Sequence, residues 1–296
     1  MQDKSTFQGI ATALITPFGG EGVDLHAFSR LVKEQIASGI HALVVAGTTG
    51  EASTLTEKER DLLLETALRE AEGHVAVIMG TGSNDTEKAV ALTRRAAALG
   101  ADGALCVTPY YNKGTRAGIR SHFLRIAEEG GLPLILYNVP SRTGVSLSLA
   151  DYETLAAHPC IVAVKEADGD MEKMAALCAL AAGKMRVYTG NDGLLLPSLA
   201  VGADGAVSVI SNLLPRDTVQ IFRKWQEGKV TEALSLFRRM LPLATALFLE
   251  TNPAPIKYLM TLSDYGDGSL RLPLTRVTAA TEEALLSAFA AWGEGE

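Results

Sequence analysis

Eight short apolar runs, each followed by a helix-like stretch, constrain the fold of this 296-residue chain more than any other feature. They are GIATALIT (residues 9–16), HALVVAG (41–47), HVAVIMG (74–80), GALCVTP (103–109), LPLILYNVP (132–140), IVAVKEA (161–167), MRVYTGN (185–191) and GAVSVIS (205–211). The runs are apolar throughout rather than alternating, as parallel strands buried on both faces are. The early ones recur roughly every 30 residues, the length of a βα unit. Between them lie Ala/Leu-rich stretches with helix punctuation. Thr56 followed by Glu59 is a capping-box pattern. Asn84 or Asp85 suits the next N-cap, and Gly39, Gly73, Gly100 and Gly183 fall where helices end.

Eight such units without a strong dinucleotide fingerprint predict an α/β fold, a closed (β/α)8 TIM barrel, in preference to an open doubly wound sheet. After Ser211 the strand pattern stops and the chain reads as helical. Residues 1–230 are expected to form the barrel catalytic domain, and residues 231–296 a C-terminal helical extension packed on it.

Composition narrows the function classes. Hydrophobic residues make up 47% of the chain, enough for one large core. The net charge of −7 and the lack of any long basic run argue against a nucleic acid partner. No apolar stretch reaches the length of a membrane span. The N-terminus MQDKSTFQGI lacks the apolar segment of a secretory leader, so a cytoplasmic location is expected. Cys106, Cys160 and Cys178 are too few and too scattered for a disulfide framework or a zinc site. Cys106 and Cys160 adjoin apolar runs and read as core thiols. The five histidines are dispersed, so no metal site is expected. Asp168, Asp170 and Asp192 read as solvated loop acids.

In a barrel of this kind chemistry sits at the carboxyl ends of the strands. Lys165 closes the run Ile161-Val162-Ala163-Val164, where an ammonium is hard to solvate. A desolvated amine is a Schiff-base nucleophile; the other reading is a lysine paired to Glu166 or Asp168. Tyr137 ends the preceding strand, where a phenol could pass protons or simply line the rim. Thr48 and Thr49 occupy a glycine-flanked loop. They could relay protons and hold a carboxylate, or merely make a tight turn. Arg142 follows a proline on a loop, a place suited to gripping a carboxylate or to ordinary exposure.

These residues fall in motifs spread over nearly the whole chain: GTTGE (47–51), VTPYYNK (107–113), YNVPSRTG (137–144), VKEADGD (164–170), TGND (189–192), GAVSVISN (205–212) and TNPAPIK (251–257). In that order the chain resembles the dihydrodipicolinate synthase / N-acetylneuraminate lyase family of pyruvate-dependent aldolases. The resemblance implies that Lys165 forms the Schiff base and that Tyr137, Thr48 and Tyr111 relay protons. It implies that Tyr111 reaches the neighbouring subunit's site, in a homotetramer built from dimers. Thr48 and Thr49 would hold the pyruvate carboxylate. Gly190 and Val207 would line the site through backbone groups, Val207 replacing a common isoleucine. Arg142 would bind the carboxylate of a second substrate, which favours L-aspartate-4-semialdehyde over a sialic acid or keto-deoxy sugar. No cofactor is implied, because the iminium is itself the electron sink. Other readings are a different pyruvate aldolase of the family and a non-catalytic keto-acid-binding barrel.

Some members of that family are inhibited by lysine beneath the GTTGE loop. Where the inhibitable pattern has histidines this chain has Glu57 and Arg60, and where it has a glutamate this chain has Lys88. A lysine ligand would meet a like charge there, so weak or absent sensitivity is expected.

Overall fold

The computed structural model describes residues 7–20 and 22–293. Among these, eight strands form one closed parallel barrel: β1 (Gly9–Ala13), β2 (Ala42–Val45), β3 (Ala76–Gly80), β4 (Gly103–Val107), β5 (Leu134–Asn138), β6 (Ile161–Glu166), β7 (Arg186–Thr189) and β8 (Gly205–Ser208). Each strand pairs with its successor, and β8 closes on β1 with Gly205 opposite Gly9. That seam admits no side chain at Gly205, where a Cβ would lie 1.7 Å from the Gly9 carbonyl oxygen.

The strands coincide with the eight apolar runs, although most stop sooner. β1 ends at Ala13, while the run continued to residue 16. The reason is that burial outlasts the ladder: Leu14 and Ile15 remain in the core after the last strand residue.

Helices α1 (Leu25–Ala37), α2 (Glu57–Ala71), α3 (Thr86–Leu99), α4 (Arg116–Glu129), α5 (Leu149–Leu155), α6 (Met171–Ala181), α7 (Leu195–Ala200) and α8 (Pro215–Gln226) follow the strands in turn. The Thr56–Glu59 capping box opens α2, and Asp85 rather than Asn84 caps α3. Gly39, Gly73, Gly100 and Gly183 all take positive φ at or beside helix ends. The chain then forms a C-terminal helical extension, α9 (Val230–Ala246), α10 (Ala254–Met260) and α11 (Ala279–Gly293). The expected boundary at residue 230 falls in the first turn of α9, which packs on α8 and α11. Residues 294–296 of the expected extension, and residues 1–6 of the polar N-terminus, lie outside the described residues.

Side-chain parity sorts the core into two shells. Ala11, Val44, Ile78, Leu105, Ile135, Ala163, Tyr188 and Val207 point into the barrel. Ile10, Leu43, Val77, Cys106, Leu136, Val164 and Val187 point out to the helices. The barrel floor is closed by Phe7, whose ring stacks on Tyr188 at 4.2 Å. The Tyr188 hydroxyl donates to the Phe7 carbonyl at 2.7 Å. Cys160 departs from expectation: it lies in the turn before β6 and is only half-buried, because that turn runs along the barrel's amino-terminal edge.

One buried histidine makes stability depend on pH. His122 on α4 shares a 2.9 Å hydrogen bond with the Thr86 hydroxyl through Nδ1, while its buried Nε2 has no partner. Burial lowers its pKa from 6.5 to about 4, against a weaker pull from Asp85. Between those values the unfolded chain binds a proton that the folded chain refuses, so stability falls as pH drops through this window. The loss is at most about 3 kcal/mol. Urea melts of wild type and His122→Gln at pH 7 and pH 4.5 check this. The variant is expected to lose less between the two; equal losses would exclude His122 as the source.

Candidate active site

Lys165 lies on the inner face of β6, beside Tyr137 of β5 in register. A register shift at Leu134/Ile135 brings Ala163, and therefore Lys165, onto that face. Lys165 is 5% exposed, and its Nζ stands 4.4 Å from the centroid of the Tyr137 ring. The next residue, Glu166, must point the other way. Its Oε2 accepts from the Tyr152 hydroxyl at 2.5 Å and from Lys173 at 3.1 Å, and its Oε1 from Asn138 at 2.7 Å. Asp168 also pairs with Lys173. The two acids that could have neutralised Lys165 are thus held by Lys173 outside the barrel. Among the described residues no carboxylate forms an ion pair with Lys165.

Gly190, at the end of β7, makes room for this lysine. A Cβ there would lie 2.8 Å from Lys165 Cε and 2.7 Å from the Ala167 Cβ. Two residues on, Asp192 is buried rather than a solvated loop acid. Its Oδ2 accepts from the amides of Val209 at 3.0 Å and Ile210 at 2.9 Å. Burial pushes its carboxyl up, against the Ser208 hydrogen bond, those amides and the charge of Lys165.

The loop after β2 is bracketed by Ala46 and Glu51, both at positive φ without being glycine. Such strain persists only where surroundings enforce it. Glu51 Oε1 accepts from Lys257 Nζ at 2.6 Å, both side chains almost wholly buried, and Oε2 accepts the Arg271 amide at 3.1 Å. Lys257 also sits 3.9 Å above the Phe18 ring. Desolvation lowers the Lys257 pKa, and the Glu51 charge resists it. The bracketed turn exposes Thr48 and buries Thr49. Among the described residues nothing accepts from the amides of Thr48 or Thr49, which leaves two donors for an anionic oxygen.

Arg142 sits on the short helical turn Pro140–Thr143. Its Nη2 donates to the Asn252 carbonyl at 3.1 Å, and Asn252 Nδ2 donates to Thr49 Oγ1 at 3.0 Å.

Lys165, Tyr137, Thr48, Thr49, Arg142 and Gly190 thus surround one cavity of about 490 Å³ at the carboxyl end of the barrel. Val209, Phe248, Leu249 and Asn252 also belong to its wall. The side chains of Tyr111 and Val207 lie outside this cavity. Tyr111 is 88% exposed and does not reach the cavity of its own chain. The Val207 side chain packs in the barrel interior, and Val209, two residues on, lines the cavity. Asn252, Lys257 and Asp192 escaped functional assignment from sequence. The motifs TNPAPIK and TGND did contain them, and a buried polar residue in a motif was the available signal.

A parallel barrel with an unpaired lysine buried in its carboxyl-end cavity defines the lysine-centred class of (β/α)8 proteins. The particular family follows from comparison with known proteins. The sequence pattern of the Dihydrodipicolinate synthetase family matches residues 6–291. A curated relative from an Exiguobacterium species, named 4-hydroxy-tetrahydrodipicolinate synthase, is 45% identical over 97% of this chain and 99% of its own. The chloride-inhibited dihydrodipicolinate synthase from Acinetobacter baumannii, solved with pyruvate, superposes with a TM-score of 0.94 at 40% identity. It covers 97% of this chain and 99% of its own. The Cyanidioschyzon merolae enzyme, solved with lysine bound, gives 0.94 at 39% identity, covering 97% and 98%. This chain belongs to the dihydrodipicolinate synthetase family.

The buried Glu51–Lys257 pair is open to a direct test. Lys257→Met should destabilise the protein by about 3–5 kcal/mol, because it leaves Glu51 buried and unpaired. Adding Glu51→Gln should recover part of that loss. Urea unfolding of both variants decides it, and a single variant within about 1 kcal/mol of wild type would reduce the pair to the worth of a surface bridge.

Proposed function

We propose that this protein condenses pyruvate with L-aspartate-4-semialdehyde through a Schiff base on Lys165. The product is 4-hydroxy-tetrahydrodipicolinate, the entry to diaminopimelate and lysine biosynthesis. The observation that carries the reading is a lysine buried without a carboxylate partner, beside a phenol, in the same cavity as Arg142.

The Lys165 amine attacks the ketone carbon of pyruvate, and the carbinolamine loses water with Tyr137 supplying the proton. The iminium draws electrons from the methyl carbon, which releases a proton and becomes an enamine. The enamine carbon bonds to the aldehyde carbon, whose oxygen takes up a proton. The amine of the second substrate then displaces Lys165, which closes the ring and frees the lysine. Water is the only other product. The Thr48 and Thr49 amides hold the pyruvate carboxylate, and Arg142 holds that of the semialdehyde. The aldehyde-bearing substrate carries a carboxylate that an acetylated sugar does not place there, and Arg142 answers it. The active form in this reading is a homotetramer in the cytoplasm, where exposed Tyr111 completes the proton relay of a partner's site.

The test couples product formation to its NADPH-dependent reductase. Lys165→Ala should abolish turnover and the borohydride-trapped pyruvate adduct seen by intact mass. Arg142→Ala should raise KM for the semialdehyde roughly 10–100-fold and leave pyruvate trapping intact. No adduct on the wild type would point to a keto-acid-binding barrel. Trapping without turnover would point to a different aldehyde, such as a sugar.

Inhibition by L-lysine should be weak or absent. Glu57, Arg60 and Lys88 line a second cavity of about 490 Å³ beneath the Thr48 loop. The lysine ammonium would meet Lys88 there, and Arg60 already donates to the carbonyls of Ala52 and Gly80. A steady-state titration reads this directly; strong inhibition at sub-millimolar lysine would overturn it.

A further inference from the structure

Asn252 lies in the loop between α9 and α10, far from the barrel strands in sequence, yet it lines the cavity. It is 5% exposed. Its side-chain nitrogen donates to the Thr49 hydroxyl, and its backbone carbonyl accepts from Arg142. Its side-chain oxygen is buried with no partner. A buried acceptor without a partner disfavours the folded state, so the amide is not there for stability alone.

The direction of the Thr49 bond matters. A hydroxyl has one proton to give. When its oxygen accepts from Asn252, that proton stays free, and among the described residues nothing accepts it. Thr49 is thereby fixed as a donor at the place where the adjacent amides are also donors. An anion is the complement of such a cluster.

We propose that Asn252 is a positioning residue that sets the polarity of both carboxylate grips. Its amide turns Thr49 into a proton donor toward the first substrate, and its carbonyl aims Arg142 toward the second. The proposal rests on the assignment of the two carboxylates given above and adds the residue that coordinates them. It separates the two grips chemically. The Thr49 contact belongs to the side chain and can be removed by substitution. The Arg142 contact belongs to the backbone and survives one.

Two substitutions exploit that difference. Asn252→Asp replaces the donor by an acceptor of the same shape. The Thr49 proton would turn toward the new carboxylate, which would also repel a substrate anion and draw Arg142 away. Asn252→Ala removes only the orienting donor. Pyruvate affinity is read from the concentration that half-saturates borohydride trapping and from the pyruvate-induced rise in melting temperature. Semialdehyde KM is read at saturating pyruvate.

Asn252→Asp is expected to raise both values at least tenfold. Asn252→Ala should raise the pyruvate value several-fold and move the semialdehyde KM less than twofold. In the alanine variant, adding Thr49→Val should weaken pyruvate less than it does in wild type. Unchanged values for both substrates in both variants, or a lowered melting temperature with wild-type affinities, would overturn the proposal. A wild-type protein that shows a pyruvate thermal shift but no covalent trap would sink the Schiff-base assignment instead. Asn252 would then be judged on the thermal-shift series.

Discussion

The pleat of a single strand governs the chemistry of this barrel. In β6 successive residues face opposite sides, so Lys165 enters the cavity while Glu166 leaves it. Had the two shared a face, amine and carboxylate would neutralise each other. Opposite faces let the protein keep a buried amine unpaired on one side and a buried carboxylate fully bonded on the other. Glu166 accepts from Asn138, Tyr152 and Lys173 and from the amides of Ala167 and Asp168. Those bonds fix the turn that follows Lys165. Burial, with the neighbouring Glu166 charge, holds the Tyr152 phenol well above its ordinary pKa, so it remains a donor. The outer network is therefore the rigid backing of the inner site.

The second support is the C-terminal segment. Lys257, Asn252 and the Arg271 amide each reach the loop or residues at the mouth of β2. Thr48 and Thr49 depend for their geometry on residues about two hundred positions further along the chain. Functional organisation thus ignores any division between barrel and extension.

Sequence reasoning reached the barrel because burial has a period, and eight repetitions of an apolar run leave few alternatives. It reached Lys165 and Tyr137 because both break an apolar run at a strand end, a local signal. It left Lys165 undecided between a free and a paired amine. Parity settles that question, and parity depended on a register shift in β5–β6 that no composition reveals. Glu51 and Lys257 were invisible as a pair because they lie 206 residues apart and follow no period. Tyr111 illustrates a different limit. A residue 88% exposed has no burial within its own chain from which a role could be read.

The Phe7 ring, stacked on Tyr188 and hydrogen-bonded through its carbonyl, stoppers the barrel from below. The cavity opens at the carboxyl end of the barrel, with exposed Phe248 and Leu249 in its lining. Arg142 is exposed and Lys165 is 5% exposed, so the arginine stands nearer the bulk solvent than the lysine. Depth is thus written into the architecture, with the arginine near the surface and the lysine far inside.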